Sequence, residues 1–270
     1  MREGALVKRL LGAFIRGLLV LAVVALPAFL LPNASQAAQE ISLIIGGIAG
    51  AFTLFEYASS HPGLVDFRFA PPYNRIRFVT FAAQVLALIF LCRAVSGADS
   101  FSPQVLAYAD QAVAATNIPL SPVRIAIEMI GEDSSETFRS LLGRAAAVSF
   151  VISFASFLFF ALTLWLFKWP VGRDNFNLWI NLPTFEPTSG RDVERRLFRD
   201  GTANLLFGIG LPFVIPVIAS RSGGWFDPSV LQNYQPLIWG AALWAFLPAS
   251  LIIRGAALIK VGWLVKRARG

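Results

Sequence analysis

Cysteine and histidine are almost missing from this 270-residue chain, which has one of each, Cys92 and His61. A lone thiol forms no internal disulfide, and one thiol with one imidazole supplies too few ligands for a zinc, haem or iron–sulfur site. Charge is scarce as well, at 14% of residues against 56% hydrophobic. A soluble domain carries about 25% charged residues, so most of this chain does not read as water-facing. There is no repeat of fixed period and no low-complexity tract. Catalytic signatures are also lacking: no HExxH, no GxxxxGK[ST], no Ser/His/Asp set and no paired carboxylates within an apolar run. "FGIGLP" lacks the third glycine and the preceding strand of a dinucleotide loop. The expectation is a noncatalytic protein without cofactor or metal.

What the chain does have is long apolar runs. Crossing the hydrocarbon core takes about 20 mostly apolar residues in a helix. Six runs qualify, at about 17–31, 41–57, 78–92, 145–167, 203–220 and 237–257. The expected fold is all-α: a polytopic integral membrane helix bundle of about six transmembrane helices, forming one membrane domain over residues 1–270. The 24 Phe and seven Trp suit lipid contact and the membrane interfaces.

Lys and Arg set the orientation, because cytoplasmic segments retain them. With the N-terminus inside, all of the 23 fall on inner segments except Arg93, Arg124, Arg139, Arg144 and Arg221. Both termini are therefore expected in the cytoplasm, in a bacterial inner membrane. The net charge of +7 thus reports orientation, not nucleic-acid binding. The first 38 residues also resemble a secretory signal, with a basic start, an apolar core and "ASQAA". A retained first helix is the expectation, and cleavage would leave five spans.

Within the spans, the informative residues are small, polar or proline. Gly46 and Gly50 have the four-residue spacing that lets helix backbones approach closely. Ser149, Ser153 and Ser156 share one helical face, suited to helix packing or to a polar path. Phe150, Phe154 and Phe157 form the bulky stripe beside it. Pro212 and Pro216, with Gly208 and Gly210 nearby, should kink or partly unwind the fifth span. Gln84 is expected to bond between helices.

Glu56 and His61, in "TLFEYASSHPG", are the candidate functional or gating groups. Glu56 falls in the last turn of the second span, where Arg68, Arg75 or Arg77 can pair with it. Pro62-Gly63 separates His61 from that helix.

Outside the spans, residues 93–144 should hold two short helices opening at Ser102-Pro103 and Ser121-Pro122. "DSSE", 133–136, resembles a capping box that starts the fourth span. These helices either rest on the interface or close over the bundle. On the inner side, "FNLWINL" alternates as a short strand does, and Phe67 and Phe69 alternate before Pro71-Pro72. A small two-stranded cytoplasmic element is expected from them. "SGRDVERRLFRDG" reads as an amphipathic helix preceding the fifth span. Arg68, Arg75, Arg77, Arg195, Arg196 and Arg199 form a basic surface suited to anionic lipid headgroups. Other membrane proteins are the expected partners. The resulting expectation is an accessory, assembly or scaffold subunit of a membrane complex. The alternative is a small-molecule or ion transporter or channel with its site at the kinked fifth helix.

Overall fold

The computed structural model describes residues 2–32, 34–60, 63–97, 99–130, 134–167, 169–170, 177–183, 185, 190–221 and 227–268. Chain order gives α1 (Arg2–Leu30), α2 (Gln36–Ala58), α3 (Tyr73–Val95), α4 (Ser102–Thr116), α5 (Pro122–Glu128), α6 (Glu136–Leu166), α7 (Leu178–Asn181), α8 (Gly190–Ser220) and α9 (Tyr234–Arg267). A 3-10 turn, Pro228–Gln232, precedes α9. Six helices are long and apolar enough to cross a membrane: Leu6–Leu30 of α1, then α2, α3 and α6, Asp192–Ser220 of α8, and α9. The protein is an all-α, polytopic membrane helix bundle.

Helix starts follow local chemistry. Ser35 accepts from the Ala38 amide, and Ser121, before Pro122, accepts from Val123, each at 3.2 Å. Ser135 caps α6 by accepting from Phe138 at 3.3 Å, so in "DSSE" the serine beside the helix does the capping. Asp133 lies outside the described residues. The Ser102 reading needs correction. Ser102 is the first residue of α4, its hydroxyl donates to the Asp99 carbonyl at 2.6 Å, and Phe101 occupies the cap position.

Two further expectations are corrected. The amphipathic segment and the fifth span are one continuous helix, α8. Gly201, at the junction of the two, is buried against α9. No strand occurs among the described residues. Residues 178–181 wind into α7 because the Asn177 side chain accepts from the Trp179 and Ile180 amides at 2.9 and 3.4 Å. Phe176 lies outside the described residues. Turns occupy 66–69, and the two segments meet at Asn181: its carbonyl accepts from Phe67 N at 2.6 Å and its Oδ1 from Phe69 N at 3.1 Å.

The chain forms two compact units. One comprises residues 1–75 and 169–188, the other 76–168 and 189–270. In the first, α1 and α2 pack antiparallel through glycine. A Cβ on Gly50 would sit 2.7 Å from the Gly17 carbonyl oxygen, one on Gly17 would sit 2.7 Å from that of Gly50, and one on Gly46 would meet Leu21 O at 3.0 Å. In the same unit, Phe67, Tyr73 and Trp169 are buried together. Ring centroids lie 4.7 Å (Phe67–Tyr73) and 5.2 Å (Phe67–Trp169) apart. The Trp169 indole donates to Ala70 O at 3.0 Å, which satisfies its polar edge.

In the second unit, α9 is the central helix. Both α6 and α8 pack along it, and from α3 the Phe81 ring lies 5.0 Å from Phe246 and 6.2 Å from Trp239. Gly201 and Gly208 of α8 face Gly255 and Pro248 of α9. A Cβ on Gly255 would lie 2.7 Å from Gly201 O, and one on Gly208 would lie 2.8 Å from Pro248 O. Both α4 and α5 pack on the other helices of this unit. Val123 and Ala126 of α5 are buried with Ala146, Ala147, Trp244 and Ala245, and α5 touches both α6 and α8. The Arg144 guanidinium of α6 grips Asp110 of α4 at 2.7 and 3.1 Å.

These seams make a graded prediction. Gly255→Ala puts a methyl against backbone and should cost about 1–3 kcal/mol. Gly210→Ala, with nothing within 4 Å of the new Cβ, should be neutral or stabilise by up to ~1 kcal/mol through helix propensity. Thermal unfolding in detergent compares the two.

Candidate functional site

Glu56 stands in the last turn of α2. Its Oε1 accepts from three consecutive amides, Gly63, Leu64 at 2.9 Å and Val65 at 3.5 Å. Successive amides turned toward one oxygen form an anion-binding nest, and here the anion belongs to the chain itself. The expected arginine is present but makes a different contact. Arg68 donates to the backbone carbonyls of Glu56 and of Ser59, the latter at 2.6 Å. Those carbonyls belong to the end of α2, where intrahelical donors run out. Its guanidinium also lies 4.7 Å from the Phe69 ring centroid and 5.7 Å from that of Tyr57, and Arg16 approaches Tyr57 at 4.9 Å. Burial pulls the Arg68 guanidinium below its ordinary range, and the neighbouring Glu56 charge opposes that shift. His61 lies outside the described residues.

Gln84, Ser149 and Ser153 meet deep in the second unit. The Gln84 amide nitrogen donates to Ser153 Oγ at 2.7 Å and to the Ser149 carbonyl at 3.0 Å. Ser153 Oγ then donates to the Ala245 carbonyl of α9 at 2.9 Å. Three helices are thereby stitched by one relay, with Gln84 and Ser149 fully buried. Ser156 turns back to the Ser153 carbonyl at 2.9 Å. Along the neighbouring stripe, Phe154 is exposed, whereas Phe150 packs 6.4 Å from the Trp244 ring. Of the three serines, Ser153 bonds to other helices through its hydroxyl and Ser149 through its backbone carbonyl, while Ser156 bonds within α6.

Proline leaves a distinct signature in α8. Pro216 lacks the amide that would bond to the carbonyl four residues back, and that residue is Pro212. The orphaned Pro212 carbonyl accepts from the Trp244 indole at 3.1 Å. The helix stays continuous through both prolines and is not unwound. Beside Pro216 lies a cavity of about 420 Å³, bounded by α5, α6, α8, the 3-10 turn and α9.

The arginines divide by role. Arg77 Nε donates to Ser250 Oγ at 2.8 Å and ties α3 to α9. Arg196 and Arg199 lie 3.8 and 3.1 Å from Asp200. Arg75, Arg195 and Arg199 are exposed. Within the second unit, Phe198 packs at Gly262, so the start of α8 and the basic end of α9 share one end of the bundle. Among the described residues, no group of three or more His, Cys, Asp or Glu is placed to hold a metal. No protein-family model, no curated protein and no solved structure matches the chain.

The sequence reading missed Trp244 and Asn181, although Pro216 four residues after Pro212 is itself a signal that a carbonyl needs an outside donor. Two outcomes are expected. Glu56→Gln, keeping an acceptor but losing the charge, should cost about 1–2 kcal/mol, and Glu56→Ala more, since three amides lose their partner. Trp244→Phe should cost about 1–3 kcal/mol by stranding the Pro212 carbonyl. In a Pro216→Ala background the new amide can bond that carbonyl, so the Trp244→Phe penalty should shrink. Unfolding of the four variants in that double-mutant cycle measures the coupling.

Proposed function

We propose that this protein is a noncatalytic accessory, assembly or scaffold subunit of a membrane complex, in a bacterial inner membrane with both termini in the cytoplasm. The observation that carries the reading is the outward face of α2. Gly46 and Gly50 are spent on α1, while Ile41, Ile44, Ile45, Ile48, Phe52 and Phe55 are all more than half exposed. Such a face meets lipid or other membrane helices, and spaced Ile and Phe give a partner helix ridges to pack against. Supporting it, the Glu56 carboxylate at the end of α2 binds its own loop, and Gln84 and Ser153 bond helix to helix. The concentration of Lys and Arg supports the orientation, and exposed basic residues such as Arg195 and Arg199 would each gain ~1 kcal/mol beside anionic headgroups.

A second reading, an apolar-molecule transporter, is favoured by one observation: the cavity beside Pro216 on the proline-bearing span. The test is photocrosslinking from residues 44, 48 and 52, followed by mild purification and mass spectrometry. The scaffold reading expects a stoichiometric protein adduct at these positions. Lipid adducts alone, with no co-purifying protein, would sink it.

A further inference from the structure

We propose that the cavity beside Pro216 is a binding site for one acyl chain of a membrane phospholipid. Its volume of about 420 Å³ is within the range of ligand pockets. The walls come from Ala126, Ala146, Pro216, Leu231, Ala241 and Trp244, among others, and are almost wholly carbon. The polar atom of Trp244 is already bonded to the Pro212 carbonyl, so it is not offered to a ligand. Water needs two to four polar partners to stay in a buried site, and these walls do not supply them. A polar or charged solute would lose its hydration here without replacement. The space is a half-open cleft, so a chain can enter it from the side and gain dispersion contacts along its walls.

Position selects the occupant. Ala146 and Ala241 lie in the first turns of the apolar runs 145–167 and 237–257, and Ile215 to Ala219 in the last turns of 203–220. All three helices are long and apolar enough to cross a membrane, so the cavity stands at the margin of the hydrocarbon, where the headgroup-side part of an acyl chain runs. It exists because α6 and α8 both lean on α9 while short α5 fills the space between them only in part. The alanines at 126, 146 and 241 and the glycine at 240 keep the walls thin. The inference is independent of the scaffold reading, since a lipid chain can fill a scaffold's interior as readily as a transporter's.

The test uses the full chain in nanodiscs containing a phospholipid with a diazirine in the headgroup-side part of one acyl chain. After irradiation, adducts should map to inward residues such as Met129 and Trp244. Ala241→Phe and, separately, Ala126→Leu fill the space from two elements and should lower these adducts at least tenfold. Native mass spectrometry should show one retained phospholipid on the wild type and none on either filled variant, each first checked for a wild-type unfolding profile. If one variant fails to fold, the other decides. Adducts confined to the outward surface, lipid retention unchanged by a folded filling variant, or a co-purified non-lipid apolar molecule lost on filling would each overturn the proposal.

Discussion

In hydrocarbon an unpaired backbone carbonyl has no water to turn to, and this constraint shapes the chain at Pro216 and at the end of α2. At Pro216 the debt falls on the Pro212 carbonyl and is met by Trp244. At the end of α2 it falls on Glu56 and Ser59 and is met by Arg68. Thr53, Thr80 and Thr163 each return a hydroxyl to a carbonyl four residues back. The polar side chains of the spans are thus used mainly as donors to backbone, which leaves few of them free to act on anything else.

Apolar surface cannot drive helices together when the surroundings are equally apolar, so close approach has to supply the attraction. Two pairs achieve it with glycine: α1 with α2, and α8 with α9. In both, the contact is backbone to backbone, with carbonyl oxygens of one helix lying where side chains of the other would otherwise be. The Gln84–Ser153–Ala245 relay adds direction to this packing, since each bond in it is made by a different helix. Glycine sets how near the helices come, and the relay sets their register.

Hydropathy is summed over some 20 residues, which is why all six spans were readable from composition alone. Their ends were not. Gly201 in "RDGTAN" has the look of a terminator, but whether a glycine stops a helix or seats a neighbour depends on what lies opposite, here Gly255. The alternation in "FNLWINL" is too short to separate strand from helical turn, and the Asn177 cap decided for the turn. The position of Glu56 at a helix end follows from the same hydropathy sum. Its binding to amides 63–65 depends on the path of a loop, which spacing does not encode. Cavities are the least legible of all, because they arise from the angles between helices.

Helix α8 carries exposed arginines at one end and a wall of the cavity at the other. Arg199 and Pro216 are 17 residues apart, or about 26 Å along the axis. Between them, Gly201 and Gly208 bear on α9 at backbone contact distance. The same unbroken backbone therefore carries the arginines and the cavity wall, and the close glycine contacts with α9, together with the Trp244 bond to Pro212, hold the two ends in one register.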